Sequence, residues 1–326
     1  MKGILLVNLG SPKDLEENSI KEYLKEFLSD DLVVDYPKII QQILINWIIV
    51  PNRYKKTQKA YSKIWTENGS PLINNTKELG LSLAKESCLP VEVAMRYQEP
   101  SIKDALTALQ DKGCTSIKAI PLYPHYAIST TLTTQKKILD VAKNIDNGMT
   151  IEFIASFYND PEYIDSLCSL IQKNRNENSD LLLFSYHGIP IRHLRKAKQK
   201  DKNDNHLCNK SECPSKEYCY RHQVYETSRL CAEKLNIPKE KWRVSFQSRI
   251  GPGWLQPFTD KLLSDLPNKG IKKLDVITPS FVIDNLETLE EINMEGRKDF
   301  LAAGGEEFNY IPCLNSRKDW VETLSK

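Results

Sequence analysis

Residues 279–296 have the sequence PSFVIDNLETLEEINMEG and follow a strand-like run, LDVI, at residues 274–277. A helix that begins where a strand has just ended lies at the carboxyl edge of a sheet, where open α/β sheets bind their ligands. Glu287, Glu291 and Glu295 recur every four residues. A helix would place these three carboxylates on one face, where like charges repel. Such a row is typical either of a solvated surface or of a site that handles cations or protons, and its position after a strand favours the second interpretation.

The pattern of strand followed by helix recurs on both sides of this stretch. Strand-like runs lie at residues 4–8, 91–95, 117–121, 151–155, 181–185, 243–246, 274–278 and 308–311, with helical patterns between most of them. This alternation predicts an α/β protein made of parallel βαβ units with right-handed crossovers. Two groups of four strands predict two similar doubly wound halves. The turn at Asn159-Asp160-Pro161 places the division between residues 1–158 and residues 159–326.

Composition narrows the class of protein. The chain has 326 residues, with 45 Lys or Arg against 43 Asp or Glu, and this balance does not indicate a nucleic-acid partner. The turn after the first strand lacks a full G-x-G-x-x-G pattern, so a dinucleotide cofactor is not indicated. The first apolar run is too short for a secretory signal. We therefore expect a cytoplasmic protein, in which the eight cysteines do not pair as disulfides.

His187 stands out among the residues at strand ends. It follows a buried-type strand and precedes Gly188 and Pro190, which favour a sharp turn. A histidine in this position offers a base near neutral pH or a nitrogen ligand for a metal. Aromatic and cationic side chains follow other strands or lie in loops, namely Arg96, Tyr97, Tyr123, Tyr126 and Trp254. They suit a flat, apolar, anionic ligand, and ordinary core packing of the aromatic rings is the alternative.

The segment at residues 34–50 is unusually apolar and ends in a basic patch. It closes on Trp47-Ile48-Ile49-Val50, and Arg53, Lys55 and Lys56 follow. Its apolar run is far shorter than the ~20 residues that a membrane span needs. A Trp-bearing apolar helix before basic residues fits an interfacial element or a lip over a pocket, and a buried core helix is the alternative. We call this segment the apolar lip.

Short motifs follow one another in order along nearly the full chain. They are VNLGSP at residues 7–12, YLKEFLSD at 23–30, IWTENGSP at 64–71, MRY at 95–97, PLYP at 121–124, SYHGIP at 185–190, SFQSR at 245–249, WLQP at 254–257 and ETLEE at 287–291. Any one of these motifs would be weak, but together they are highly specific. In this combination the chain resembles the ferrochelatases, including bacterial ones, which insert ferrous iron into a porphyrin as the last step of haem synthesis.

The resemblance implies a fold and a set of site residues. It implies two Rossmann-like domains with parallel four-stranded sheets and the active site in the cleft between them. His187 matches the metal-site histidine of the family, and Glu287 matches the partner carboxylate of that histidine. Asp284, Glu291 and Glu295 match the family's line of acidic residues, which is a path for metal ions or protons. The residues that match the lining of the porphyrin pocket are Asn8, Leu9, Arg96, Tyr97, Tyr123, Ser129 and Trp254. Some members have a histidine after the residue that matches Asp284; this chain has Asn285, so no metal role is expected there.

The expected substrates are ferrous iron and protoporphyrin IX, with coproporphyrin as the alternative. Two N–H protons must leave the porphyrin as the metal enters, and either His187 or Glu287 could accept them. Rival functions are a related chelatase that inserts another divalent metal into another tetrapyrrole, and a non-catalytic tetrapyrrole or metal carrier. In the family the lip also contributes to loose membrane contact, so the expected location is the cytoplasm with peripheral contact to the inner face of the cytoplasmic membrane.

Three cysteines lie close together in a polar insert at about residues 195–219. Cys208, Cys213 and Cys219 fall within twelve residues, and thiolates at such spacing can hold zinc or an iron–sulfur cluster, which usually needs about four ligands. Several ferrochelatases carry a [2Fe-2S] cluster, so the resemblance implies one here with a structural or sensing role. Cys231, His206 or His222 would have to complete the ligand set. A loop of redox-sensitive thiols is the alternative.

Overall fold

The computed structural model describes residues 1–145, 148–154, 156–197, 213, 215–251 and 253–326. Eight strands alternate with helices along these residues. The strands are β1 Lys2–Asn8, β2 Val91–Met95, β3 Ser116–Pro121, β4 Thr150–Phe153, β5 Leu181–His187, β6 Trp242–Gln247, β7 Lys273–Ile277 and β8 Glu307–Ile311. Each strand overlaps one of the runs predicted from the sequence.

Most of the helices also lie where the sequence predicts them. The α-helices are α1 Glu17–Leu28, α2 Lys38–Ile43, α3 Val50–Ile64, α4 Pro71–Ser87, α5 Ile102–Asp111, α6 Thr133–Ile145, α7 Pro161–Asn174, α8 Ile191–Ala197, α9 Tyr220–Lys234, α10 Thr259–Asp265, α11 Arg297–Ala302 and α12 Lys318–Ser325. Segments of π-helix, in which the bonds run from residue i to i+5, are Leu44–Ile49, Ile128–Leu132 and Glu287–Gly296. Short 3₁₀-helices lie at Lys239–Lys241 and Leu266–Lys269.

The strands form two four-stranded sheets with the same topology. The order is β2-β1-β3-β4 in the first sheet and β6-β5-β7-β8 in the second, and every pair is parallel. The central strands β1 and β5 are almost entirely buried, as expected where helices cover both faces of a parallel sheet. The predicted α/β class with two Rossmann-like sheets is confirmed.

Packing divides the described chain into two compact units that are not contiguous in sequence. Unit 1 comprises Met1–Tyr123, Ile128–Ala155 and Asn315–Lys326, and unit 2 comprises Pro124–Ala127 and Ser156–Leu314. Helix α12 therefore packs with unit 1, where it contacts α4. Relative to a simple division between residues 158 and 159, the boundary lies three residues earlier, and two further segments, residues 124–127 and 315–326, belong to the other unit. No local sequence pattern indicates these two exchanges.

A buried histidine anchors the short segment Pro124–Ala127 within unit 2. His125 Nε2 lies 3.0 Å from Thr227 Oγ1, and the Thr227 hydroxyl donates its only proton to the Tyr158 carbonyl at 2.7 Å. Nε2 of His125 must therefore be the donor in the first contact. The ring lies edge-on to Tyr186, with centroids 5.2 Å apart. Burial lowers the pKa of His125 to about 3, so the folded protein holds this side chain neutral.

We expect His125 to make folding stability depend on pH. Its folded pKa of about 3 lies below the unfolded value of about 6.5, so its contribution is complete above about pH 6.5 and is lost as the pH falls from there towards 3. Between about pH 8 and about pH 5 the free energy of unfolding should fall by about 2 kcal/mol more in the native protein than in His125→Gln. Urea unfolding at both pH values measures this difference. Equal losses in the two proteins would contradict the assignment.

Candidate active site

His187 is the last residue of β5, and both of its backbone polar groups are held. Its N–H donates to Ser280 Oγ at 2.9 Å, and its carbonyl accepts from the Tyr220 hydroxyl at 2.7 Å. Ser280 follows the end of β7, and Tyr220 is the first residue of α9. The end of β5 is therefore fixed by two neighbouring elements of unit 2.

The imidazole of His187 has a defined tautomer. Nδ1 lies 2.6 Å from the carbonyl oxygen of Gly188. A carbonyl only accepts hydrogen bonds, so Nδ1 carries the proton and the lone pair of the neutral ring lies on Nε2. Metal-binding histidines in proteins are commonly oriented by this kind of bond to the other ring nitrogen. Nε2 is thus the atom that can bind a metal ion or accept a proton.

The turn after His187 requires glycine because it is crowded. A Cβ on Gly188 would lie 2.8 Å from the Gln247 carbonyl oxygen and 3.3 Å from the Trp254 ring. The Gly188 N–H donates to the same Gln247 oxygen at 2.8 Å, and Trp254 pairs with Pro190 in an antiparallel bridge. The structure therefore brings Trp254, predicted from the sequence as a ligand-binding residue, against the turn that carries His187.

The acidic stretch is a π-helix from Glu287 to Gly296, which continues as α11. The sequence predicts an ordinary helix for this stretch, without a change of helix type. The buried residues of the π-helix are Thr288, Ile292 and Gly296, whereas Glu287, Glu291 and Glu295 are each partly exposed. The carboxylate row thus runs beside the buried row. Turns of π-helix are rare and occur frequently at functional sites.

Glu291 is clamped by Ser248 at the end of β6. The Ser248 N–H donates to one carboxylate oxygen at 2.7 Å and the Ser248 hydroxyl donates to the other at 2.5 Å. Ser248 has a φ of +61°, and this left-handed conformation, uncommon for a residue other than glycine, accompanies the two bonds. Burial raises the pKa of Glu291; the Ser248 hydrogen bonds and the electrostatic interaction with the protonated form of His187 oppose this, and the charge of Glu287 adds to it. Glu291 thus interacts electrostatically with both predicted metal-site residues.

Gln247 links the strand of His187 to the start of the π-helix. Gln247 is the residue of β6 that lies opposite His187 in the parallel ladder. Its side-chain amide donates to the Glu287 carbonyl at 3.2 Å and accepts from Ser185 Oγ at 2.8 Å. Asn285 Oδ1 accepts the Glu287 N–H at 3.0 Å. The Thr288 N–H also donates to this oxygen, at 3.2 Å, so the Asn285 side chain is held at the start of the π-helix.

Asp284, also predicted to belong to the acidic line, lies in a different hydrogen-bond network. It is buried, and its carboxylate accepts from the Tyr310 hydroxyl at 2.6 Å, from Thr288 Oγ1 at 3.0 Å and from the Cys313 N–H at 3.3 Å. Burial raises the pKa of Tyr310 well above its usual value, which keeps its hydroxyl a donor. These bonds connect the start of the π-helix to the segment that follows β8.

A second polar cluster lies in unit 1 and includes several residues predicted for the porphyrin pocket. The Asp30 carboxylate forms an ion pair with Arg96 and accepts from the Tyr97 hydroxyl at 2.9 Å and from the Thr133 hydroxyl. Arg96 Nε donates to Thr133 Oγ1 at 2.9 Å. The Arg96 and Asp30 side chains are 13% and 8% exposed, so the charge of the guanidinium is largely compensated by a carboxylate.

The turn after β1 packs directly on this cluster. The Arg96 N–H donates to the Asn8 carbonyl at 2.7 Å and the Tyr97 N–H donates to the Leu9 carbonyl at 2.9 Å. Gly10 has a φ of +116°, and a Cβ there would lie 2.0 Å from the Tyr97 carbonyl oxygen, so only glycine fits. Tyr123 in unit 1 is buried, and Ser129 is partly exposed on its π-helix.

The apolar lip is mostly exposed. Together α2, the π-helix Leu44–Ile49 and α3 run without a break from Lys38 to Ile64. The exposed large apolar side chains of the segment are Tyr36, Ile39, Ile40, Ile43, Trp47 and Ile48, at 49% to 79% exposure. This exposure does not match a buried core helix. Among the described residues no helix is long and apolar enough to cross a membrane.

The cysteines of the insert lie partly within the described residues. Cys208 and His206 lie outside them. Cys213 and Cys219 are both buried and pack against each other, and the Cys219 thiol accepts the His222 N–H at 3.4 Å at the start of α9. Cys231 lies three turns further along α9, about 18 Å away at 1.5 Å per residue, and its carbonyl accepts from the Cys168 thiol at 3.9 Å. Cys231 therefore does not fit the cysteine pair as a further ligand.

Within the described part of the chain, no group of three or more His, Cys, Asp or Glu side chains is arranged to hold a metal ion. Sequence reasoning did not identify Asp30, Ser248, Tyr220 or Ser280 as residues of the site. Asp30 and Ser248 lie inside the motifs YLKEFLSD and SFQSR, which was the signal available for them. Tyr220 and Ser280 carry no comparable signal, because their partners are distant in sequence.

Comparison with solved structures supports a chelatase fold. SirB from Bacillus subtilis with Fe3+ is 14% identical, with a TM-score of 0.54 over 99% of this chain and 92% of that one. The sirohydrochlorin chelatase SirB from Bacillus subtilis subspecies spizizenii in complex with cobalt is 13% identical, with a TM-score of 0.52 over 99% of this chain and 91% of that one. At this identity the likeness concerns the fold alone.

Comparison of sequences identifies the family. The ferrochelatase family model matches residues 1–326. A ferrochelatase of Coxiella burnetii strain CbuK_Q154 is 42% identical over 99% of this chain and 92% of its own length. A ferrochelatase of Stutzerimonas stutzeri is 39% identical over 99% of this chain and 96% of its own length. The chain therefore belongs to the ferrochelatase family, the metal–porphyrin lyases that insert ferrous iron into a porphyrin for haem synthesis.

Proposed function

We propose that His187 and Glu287 form the site at which iron enters the porphyrin. The observation that carries this proposal is the bond from His187 Nδ1 to the Gly188 carbonyl, because it leaves the lone pair of the neutral ring on Nε2. Imidazole and carboxylate are both suitable ligands for ferrous iron. Two protein ligands leave coordination positions open for the pyrrole nitrogens, as catalytic metal sites require.

We further propose that the pyrrole protons leave through the carboxylates. When Nε2 of His187 holds iron it cannot also hold a proton, so a second base is needed. The raised pKa of Glu291, caused first by burial and increased by the Glu287 charge, brings this carboxyl closer to the range in which it can accept a proton near neutral pH. Glu287, Glu291 and Glu295 would then pass the two protons outward, with Asp284 bonded to Thr288 at the start of the row.

Protoporphyrin IX is the proposed porphyrin. The residues proposed to line its pocket are Asn8, Leu9, Arg96, Tyr97, Tyr123, Ser129 and Trp254. The Asp30 carboxylate already compensates the Arg96 charge, which favours a ring with two carboxylates over coproporphyrin, which has four. Buried aromatic residues such as Tyr97 and Tyr123 suit the apolar faces of the ring.

The exposed apolar lip supports a peripheral location on the cytoplasmic membrane. Six large apolar side chains are exposed on this segment, and the exposed basic residues Arg53, Lys55 and Lys56 follow on α3. An apolar face next to cationic side chains binds the interface of anionic membranes reversibly. The proposal is a cytoplasmic enzyme whose lip contacts the inner face of that membrane.

The cysteine segment is proposed to hold a [2Fe-2S] cluster with a structural or sensing role. Cys213 and Cys219 support this proposal because they are buried against each other, and Cys208 would join them. His222 is the described candidate for a fourth ligand, since it lies one helical turn from Cys219. A cluster would cross-link the cysteine segment. It is not proposed to take part in iron insertion, because that chemistry needs only His187 and the carboxylates.

Removal of the metal-site side chains should abolish most of the activity. We expect His187→Ala and Glu287→Gln each to lower kcat by at least ~100-fold, because His187→Ala removes an iron ligand and Glu287→Gln removes both a ligand and a proton acceptor of the carboxylate row. Loss of porphyrin fluorescence on addition of ferrous iron measures turnover. With the native protein, the same assay should give a higher kcat/KM for protoporphyrin than for coproporphyrin. Glu290→Gln, a charge removed from the same helix outside the row, serves as the control. Folded His187→Ala and Glu287→Gln proteins with near-native rates would refute the site.

One charge placed on the lip should release the protein from membranes. Trp47 and Leu81 are 79% and 75% exposed, but only Trp47 lies in the lip. We expect Trp47→Asp to reduce flotation with phosphatidylglycerol vesicles several-fold, because it places a charge in the inserted face, while Leu81→Asp leaves flotation unchanged. Equal effects of the two substitutions, or no flotation of the native protein, would show that the lip does not bind membranes.

A cluster in the cysteine segment should be visible. Protein purified without oxygen is expected to be brown, with about two iron and two sulfide per chain. Cys219→Ser should remove the absorption, whereas Cys88→Ser, at an exposed cysteine, should retain it. A colourless, iron-free native protein with full activity would instead support a loop of redox-sensitive thiols.

A further inference from the structure

Three residues close a ring of hydrogen bonds on the backbone of His187. The His187 N–H lies 2.9 Å from Ser280 Oγ, the Ser280 and Tyr220 hydroxyls are 3.1 Å apart, and the Tyr220 hydroxyl lies 2.7 Å from the His187 carbonyl. The ring therefore begins and ends on the same residue. Neither Tyr220 nor Ser280 is required for the chemistry proposed above.

The direction of every bond in this ring is determined. A backbone N–H only donates and a carbonyl only accepts, so Ser280 accepts from His187 and Tyr220 donates its single proton to the His187 carbonyl. In the contact between the two hydroxyls Ser280 must then be the donor and Tyr220 the acceptor. All three bonds run in the same sense, and hydrogen bonds in such chains polarise and strengthen one another.

The position of Tyr220 makes the ring of hydrogen bonds rigid. The Tyr220 side chain is buried, and its phenol group lies edge-on to the His125 imidazole with centroids 5.9 Å apart. Burial raises the pKa of Tyr220, so the hydroxyl remains protonated and keeps its role as donor. Tyr220 is also the first residue of the fifteen-residue helix α9. A long helix thus presents the donor to the end of β5.

Fixing this carbonyl fixes the peptide unit that orients the imidazole. The His187 carbonyl and the Gly188 N–H belong to one planar unit, which Tyr220 holds at one end and the Gln247 carbonyl holds at the other, at 2.8 Å. The next carbonyl, of Gly188, accepts the Nδ1 proton of His187. A change at Tyr220 is therefore transmitted through two peptide units to the direction of Nε2.

We propose that Tyr220 is a positioning residue for iron insertion, acting with Ser280 through the backbone of His187. This inference rests on the proposed role of His187. Because the ring orients an existing side chain, its loss affects the reacting geometry and not the affinity for the porphyrin. A displacement of about 1 Å at a reacting group can cost up to about a hundredfold in rate.

The test compares two tyrosines of unit 2. Tyr220→Phe removes the donor to His187, whereas Tyr186→Phe removes a buried hydroxyl that contacts only Ser228 Oγ among the bonds described, at 2.7 Å. We expect Tyr220→Phe to lower kcat about tenfold at unchanged KM for the porphyrin. Tyr186→Phe should keep kcat within about twofold, although urea unfolding should show a similar loss of stability in both variants.

Two further variants test whether Tyr220 and Ser280 act together and provide a test if Tyr220→Phe does not fold. Ser280→Ala opens the same ring, so Tyr220→Phe combined with Ser280→Ala should be no slower than the slower single variant. If Tyr220→Phe does not fold, Ser280→Ala alone carries the same expectation against Tyr186→Phe. Equal kcat for the ring variants and Tyr186→Phe would overturn the inference. If His187→Ala itself retains activity, the proposed role of His187 is wrong. If His187→Ala is slow but the Tyr220 and Ser280 variants are not, the positioning role of the hydrogen-bond ring is refuted and the role of His187 stands.

Discussion

The parallel pairing of β6, β5 and β7 is the constraint on which the site of unit 2 depends. Because parallel strands all point in the same direction, their carboxyl ends meet at a single edge of the sheet. This register sets His187 opposite Gln247, and β7 delivers the chain to Ser280 and then to the π-helix. Backbone pairing thus brings His187 together with Ser280 and the row of carboxylates, which lie about 100 residues further along the chain, while α9 supplies Tyr220.

Hydrogen bonds hold two of the carboxylates at this edge of the sheet. Like carboxylates at four-residue spacing repel each other, and burial raises the pKa of Glu291 further. Ser248 opposes both effects by donating two bonds to one carboxylate. Asp284 is satisfied separately by Tyr310 and Thr288. These hydrogen bonds help the acidic row to persist in a partly buried position.

In unit 1, the Arg96 guanidinium is largely buried and needs a partner of opposite charge. Removing one partner of a buried ion pair leaves an uncompensated charge, which is strongly destabilising. Asp30 prevents this for Arg96 and also accepts from Tyr97 and Thr133. The same carboxylate thereby orders an aromatic ring and an arginine that the family resemblance assigns to the porphyrin pocket. Binding of a propionate by Arg96 would have to compete with this existing partner.

The cysteine pair is structurally adjacent to the ring on His187. Cys219 caps α9, and Tyr220 follows it directly. The thiol of Cys219 accepts from the His222 N–H within the first turn of that helix. Whatever orders Cys213 and Cys219 therefore also orders the start of the helix that presents Tyr220.

The sequence by itself determined the eight strands, the α/β class and the position of His187 at a strand end, because hydrophobic periodicity and turn residues are local properties. The family was indicated separately, by the resemblance of the ordered motifs to those of the ferrochelatases. The sequence also identified the acidic row and the apolar lip. Only the tertiary structure decided that the row lies on a π-helix, that the lip is exposed, and that α12 packs with unit 1. It alone paired Asp30 with Arg96, Ser248 with Glu291 and Tyr220 with His187. The physical reason is that these partners lie tens of residues apart, and such contacts depend on how strands pair and helices pack, which no local pattern records.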